Sequence, residues 1–338
     1  MEQRPWRGPL FIVGLPRSGT KLLRTILNNH PKIQIPTIET GFLPLWISEW
    51  EHYGDLSDYS IFQRFYNRSI WLPYFQYQRE RGELIDPQNW YESCEDYSVN
   101  GVFEALIRHD SGTLRKADTI WGDKSPSYVR YLGLIARTIP NARFVHIIRD
   151  VRDYCLSAEK AWGKNKMRAA QRWVDSIQSA RLDAVTIQSQ YLEVQYENLL
   201  LYPSDTTSQV CDFIGVTFCE SMLNLHYSSE NIGDTKGQSN IVANNKEKYL
   251  TMMSYNDLYS IESVARNLLV DMGYSVKTSA PEGRVSPRMM KAYQILDGVN
   301  SLIFRIKHNG LLAALRQWSS GVLLIARMRE VKRGNKKN

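Results

Sequence analysis

Between the apolar run Leu10 to Val13 and a helical spacing of Leu22, Leu23, Ile26 and Leu27 lies the turn Gly14-Leu15-Pro16-Arg17-Ser18-Gly19-Thr20-Lys21. Backbone N–H groups at a strand-to-helix turn, with the partial positive charge of a helix N-terminus, make a site for a phosphate. The two glycines let the backbone approach it closely. Gly14 and Gly19 have the spacing of the nucleotide loop GxxxxGK[ST], but the next two positions differ. Thr20 stands where that loop has the Lys that reaches the β/γ-phosphates, and Lys21 stands where it has the Mg²⁺-binding hydroxyl. A donor with one 5′-phosphate and no metal fits this turn better than ATP.

A second constellation is Arg149-Asp150-Val151-Arg152-Asp153, with Ser157 eight residues after Arg149. A strand that ends in Arg and runs into a helix carrying Ser157 can converge a guanidinium and a hydroxyl on one phosphate. Arg149 and Asp150 fit a structural ion pair at a strand end equally well.

Positioning these residues requires strands that end where the motifs begin. PLFIV (9–13) and ARFVHIIRD (142–150) read as buried strands, each followed by a helix, and YLEVQY (191–196) reads as a third strand. Strands interleaved with helices predict an α/β fold, a P-loop-like parallel sheet flanked by helices, with the ligand site at the C-terminal strand ends. Residues 41–97 hold 15 of the 38 aromatics and little strand pattern. Residues 41–118 therefore read as a helical insertion covering the sheet and are the candidate for acceptor recognition, although any one ring is better explained as core packing.

Composition narrows the class. With 43% hydrophobic and 23% charged residues, the 338-residue chain is an ordinary globular protein. Cys94, Cys155, Cys211 and Cys219 are scattered, which predicts neither a zinc site nor a disulfide framework, and a metal is not expected. The N-terminus has no export pattern. Residues 288–338 hold 11 Lys+Arg against Asp297 and Glu330, whereas the rest holds 31 Lys+Arg and 33 Asp+Glu. The net charge of +7 thus belongs to the tail, and the body gives no reason to expect a nucleic-acid partner. Residues 1–280 read as one domain and 281–338 as a basic amphipathic helical tail. Within it, Gly310 to Met328 is interrupted by Arg316, Gln317 and Arg327, a pattern that does not span a bilayer but is able to lie on one. The expected location is cytoplasmic, with peripheral membrane contact through the tail as one option and packing on the body as the other.

Taken together, GLPRSGTKLLRTILNNHP and FVHIIRDVRDYCLS resemble the two nucleotide motifs of the sulfotransferases that use 3′-phosphoadenosine 5′-phosphosulfate (PAPS). YENLLLYP (196–203), DFIGV (212–216) and DMGY (271–274) add to the resemblance, above all to the tyrosylprotein and bacterial branches with Arg in the loop. The resemblance implies that Arg17 contacts the transferring sulfuryl group, and that Ser18, Gly19, Thr20 and Lys21 hold the 5′-phosphate. Arg149 and Ser157 would bind the 3′-phosphate. Lys21 departs from the family, many members of which have a second Thr there.

The same resemblance places a catalytic carboxylate at Glu39, where it would take the proton of an acceptor hydroxyl. Capping or pairing at a helix terminus is the rival role for Glu39. Asp123-Lys124-Ser125-Pro126 resembles a family turn whose Lys, here Lys124, would neutralise charge on the leaving phosphate and the sulfuryl oxygens. Tyr196 and the stretch NKEKY (245–249) would contact the nucleotide, whereas His146, inside a strand, reads as a buried structural residue. The implied reaction is in-line sulfuryl transfer from PAPS to a hydroxyl on a carbohydrate, lipid or other small molecule, releasing adenosine 3′,5′-bisphosphate. A phenol or protein tyrosine is also open. A small-molecule kinase and a non-catalytic, membrane-associated nucleotide-binding adaptor are the alternatives.

Overall fold

A computed structural model of the protein describes residues 6–114, 118–228 and 234–310. Strands β1 (Leu10–Gly14), β2 (Ile33–Gln34), β3 (Ile120–Lys124), β4 (Arg143–Ile148) and β5 (Tyr191–Gln195) form a sheet of order β2-β3-β1-β4-β5. All four neighbouring pairs are parallel. The expected α/β architecture is what the chain adopts.

Parallel strands are stable when helices cover both faces, and β1 alternates accordingly. Leu10 and Ile12 pack with Leu22, Leu23, Ile26 and Leu27 of the helix Thr20–Asn28 on one side. Phe11 and Val13 point to the other side, against the helices of the insertion. The register opposes Ile12 to Lys124 and Gly14 to Ile147, so β1, β3 and β4 end on one edge. The two sequence motifs meet there.

The structure departs from the sequence reading at β2 and β3. β2 has two residues, too few for a periodic signal. In β3, IWGDK reads as a turn around Asp123-Lys124-Ser125-Pro126, yet Asp123 and Lys124 are the last residues of a strand buried along its length. Two neighbouring strands complete their hydrogen bonds in the sheet, which overrides the weak propensity of Gly, Asp and Lys.

Within the expected insertion 41–118, the described residues form helices over the sheet: Leu43–Glu49, Tyr59–Ser69, Pro73–Glu80, Pro87–Ser93 and Val99–Asp110. Their starts are written in the chain: Asp58, Asp86 and Ser98 each accept from first-turn N–H groups. Most of the rings are core. Trp46 and Trp90 stack at 5.9 Å, Phe62, Phe65 and Phe75 surround them, and Phe103 carries the cluster to Phe11 of β1 at 6.4 Å.

A second helical group, Val151–Trp162, Lys166–Ala184 and Tyr255–Asp271, packs beyond β4. The helix Pro287–Asn309 joins it where Asp297 receives Arg168 at 2.6 Å and the Asn165 N–H at 2.8 Å. The remainder of the basic tail, residues 311–338, lies outside the described residues. No helix among the described residues is long and apolar enough to cross a membrane.

β3 tolerates no side chain at Gly122, because a Cβ there would stand 2.1 Å from the Leu10 carbonyl oxygen. Gly122→Ala is expected to lower stability by about 1–3 kcal/mol, read as a fall in the urea midpoint.

Candidate functional site

Gly14 leaves β1 at φ 148°, where a Cβ would meet the Ile147 carbonyl oxygen at 2.5 Å. Arg17 at φ 77° and Gly19 at φ 93° are both left-handed, an arrangement that costs a non-glycine residue about 1 kcal/mol or more. Left-handed turns of this kind direct successive N–H groups into an anion-binding concavity. The helix Thr20–Asn28 follows directly, so its unpaired first-turn N–H groups face the same loop. Gly19 is also required by packing: a Cβ would come within 2.3 Å of the Tyr196 ring.

Tyr196 is the first residue after β5, and its ring lies 4.8 Å from the Arg149 guanidinium. Its hydroxyl accepts from Asn245 Nδ2 at 2.7 Å. Arg149, at the end of β4, donates to the Arg17 carbonyl at 3.2 Å and to the Asn245 carbonyl at 3.1 Å. Its distance to Asp153 is 4.0 Å, too long for a hydrogen bond. The Nε atom of Arg149 is buried with no hydrogen-bond partner among the described residues. Arg17 Nε donates to Ser157 Oγ at 3.2 Å. The loop motif and the Arg149/Ser157 motif, about 130 residues apart in the chain, thus touch directly.

The ion pair between Arg149 and Asp150, one of the two readings of that motif, does not form. Asp150 instead holds Arg152 at 2.6 Å and caps the helix Val151–Trp162, while Arg152 continues to the buried Glu262 at 2.6 Å. His146 is buried with its Nδ1 2.7 Å from the Tyr191 hydroxyl, and burial pulls its pKa down to about 4.

Arg17, Arg149, Ser157, Lys160 and Lys248 line a cavity of about 270 Å³. A smaller compartment beside Gly19 and Tyr196 shares Arg17, Arg149, Thr235 and Asn245 with it. Lys160, Asp234, Thr235 and Gln238 also line the two compartments, although they belong to none of the motifs read from the sequence. Lys160 lies on the helix Val151–Trp162, and the segment from Asp234 onward reaches the site through long-range contacts. Asp234 receives both Lys160 and Lys248, and these hydrogen bonds hold its carboxyl down at about 2.

Ser18 and Thr20 are buried in the loop and Lys21 is half-buried. Glu39 and Lys124 line neither compartment; they form an ion pair with each other. Lys124 is buried and Glu39 half-exposed, so the pair leads from the end of β3 towards solvent. Burial lowers the pKa of Lys124, Glu39 opposes that shift, and the Arg24 and Lys21 cations add to it. The Glu39–Lys124 pair is therefore electrostatically coupled to the helix that follows the loop. Capping of a helix by Glu39 is not seen.

The sulfotransferase family model matches residues 9–220. A Caenorhabditis briggsae protein provisionally named a protein-tyrosine sulfotransferase is 24% identical over 289 residues, covering 81% of this chain and 91% of that protein. The sulfotransferase domain from the curacin biosynthetic pathway superposes with a TM-score of 0.54 at 21% identity, covering 81% of this chain and all (100%) of that one. The sulfotransferase domain of the Synechococcus PCC 7002 olefin synthase gives 0.52 at 20% identity, covering 82% and 98%.

Next to Lys124, Asp123 is completely buried, and loss of hydration pushes its carboxyl up to about 6 despite hydrogen bonds from Thr40 and Ser125 and the Lys124 charge. An unfolded Asp titrates near its ordinary value of about 3.9, so the native state binds this proton more tightly. Stability from this group is present below about pH 4 and is lost as pH rises through about 6. Relative to Asp123→Asn, the wild type is expected to lose on the order of 2–3 kcal/mol between pH 4 and pH 6 in denaturant titrations, whatever the absolute stability of the variant.

Proposed function

The chain belongs to the sulfotransferase family, and we propose that it moves a sulfuryl group to an acceptor hydroxyl from PAPS, seated in the cleft between the Gly14–Lys21 loop and Arg149. The observation that carries this reading is the convergence of Arg17, Arg149 and Ser157 on one cavity, which shares Arg17 and Arg149 with the smaller compartment at the N-terminus of the helix Thr20–Asn28. Two features fit the donor: the buried Arg149 Nε lacks a partner among the described residues, and the left-handed loop presents backbone N–H groups. Both suit phosphate oxygens.

When bound, PAPS supplies the sulfuryl group, and adenosine 3′,5′-bisphosphate is what remains after its P–O–S bridge breaks. The protein's part is positioning and charge. Ser18, Gly19, Thr20 and Lys21 would hold the 5′-phosphate, and Arg149 and Ser157 the 3′-phosphate, with the Tyr196 ring beneath Arg149. Arg17, kept at its unusual φ by the loop and bonded to Ser157, would face the sulfuryl group. Glu39 would accept the proton of the acceptor hydroxyl, and Lys124, held in contact with it, would offset negative charge developing nearby.

For the acceptor, the tyrosine sulfotransferase named among the relatives makes a tyrosyl peptide the first candidate, ahead of sugar and lipid hydroxyls. The family match makes a kinase reading unnecessary, and the basic tail leaves room for a membrane-bound acceptor.

Calorimetric titration is expected to show micromolar binding of adenosine 3′,5′-bisphosphate without metal and weaker binding of ATP with Mg²⁺. Arg149→Ala should weaken the bisphosphate at least about 10-fold, because hydrogen bonds to a charged group are lost. Glu39→Gln should bind it normally and turn over about 100-fold more slowly or worse with PAPS and a panel of tyrosyl peptide, oligosaccharide and lipid alcohol. Binding of ATP with Mg²⁺ alone would refute the donor assignment.

A further inference from the structure

Glu39 and Lys124 lie 85 residues apart in sequence, on segments that must be held together for the pair to exist. Each is adjacent to a buried polar residue, Thr40 after Glu39 and Asp123 before Lys124. Thr40 Oγ1 donates to Asp123 Oδ2 at 2.7 Å and lies 2.5 Å from Tyr128 Oη. The Leu43 N–H donates to Tyr128 Oη at 2.9 Å, and the Gly41 N–H to Ser125 Oγ at 3.1 Å. Since the single Thr40 hydroxyl proton goes to Asp123, the Tyr128 hydroxyl must donate to Thr40. The result is a directed chain from the Leu43 N–H through Tyr128 and Thr40 to the Asp123 carboxylate, and such chains polarise and stiffen one another in a dry interior.

This network faces away from the chemistry. Successive strand residues point to opposite faces, so Asp123, in register with Phe11, lies on the insertion side of the sheet, whereas Lys124, in register with Ile12, lies on the other. Buried hydroxyls and a buried carboxylate are costly compared with apolar residues of the same size, yet here every hydroxyl is bonded across the two segments. An apolar contact would fill the space without setting the position of its neighbours along the chain.

We propose that Thr40, Tyr128, Asp123 and Ser125 are positioning residues: a buried clasp that fixes the segment 39–43 against 123–128 and thereby holds the Glu39–Lys124 pair in its reactive geometry. The proposal rests on the reading of Glu39 as the proton acceptor. It assigns these four residues an effect on the chemical step and none on donor binding, since they touch neither compartment of the cleft.

The test compares Thr40→Val, Tyr128→Phe, Thr40→Ser and Glu39→Gln. Turnover is read as adenosine 3′,5′-bisphosphate released from PAPS, with the fastest acceptor of the panel and with water alone. Bisphosphate Kd and thermal midpoint are measured on the same samples. Thr40→Val and Tyr128→Phe are expected to lower kcat about 10- to 100-fold, the scale of a misplacement near 1 Å, with Kd unchanged and kcat largely restored in Thr40→Ser. A variant that does not fold is replaced by Ser125→Ala, which removes the Gly41 bond. Wild-type kcat in the folded clasp variants beside an inactive Glu39→Gln overturns the clasp and leaves the base assignment standing. Wild-type turnover in Glu39→Gln overturns the base assignment and the clasp with it.

Discussion

Three segments distant in sequence meet at the Arg149 guanidinium. It bonds the Arg17 carbonyl of the first loop and the Asn245 carbonyl of the late segment, and it rests on the ring of Tyr196 after β5. Each of these contacts leaves the cation largely out of water, which is tolerable because carbonyl oxygens and a ring face supply negative potential in its place. The indole N–H of Trp173 in turn holds the Arg149 carbonyl at 2.9 Å, so the backbone that carries the guanidinium is itself fixed. The cleft exists because this one side chain is anchored from several directions.

Register does the remaining work. With β1 between β3 and β4 in a wholly parallel sheet, the loop after β1, the polar end of β3 and the motif after β4 emerge along one edge. The dipole of the helix Thr20–Asn28 and the basic side chains around it then favour an anion at that edge. The aromatic insertion has a different task. Most of its rings form the core on the Phe11 side, which gives the buried Thr40, Asp123 and Tyr128 a rigid, water-poor surrounding.

Charge is managed differently inside and outside the cleft. Arg152 is buried but fully engaged by Asp150, Glu262 and the Tyr249 ring 3.9 Å away, and Glu262 also accepts from the backbone of Lys277 and Thr278. That is an internally satisfied knot joining the helix Val151–Trp162 to the segment after Gly273. Around the cavity, by contrast, Arg17, Arg149, Lys160 and Lys248 face three carboxylates, Asp153, Glu159 and Asp234, which leaves one cation in excess. The excess of cations sits where a polyanionic donor would lie.

The sequence by itself determined the local units: a strand, a glycine-bearing turn and a helix at Leu10–Asn28, and a strand ending in Arg149 with Ser157 on the following helix. These are legible because chain periodicity and turn chemistry act over a few residues. The tail charge and the covering role of the aromatic insertion were legible for the same reason, as composition. The tertiary structure decided what lies beyond that range. β3 became a strand, although Gly, Asp and Lys are poor strand formers, because two neighbours complete its hydrogen bonds. Glu39 met Lys124, and Asn245 met Arg149, across separations of 85 and 96 residues that no local spacing encodes. Such pairings follow from sheet register and from the cost of leaving buried polar groups unpaired, and both are properties of the assembled fold.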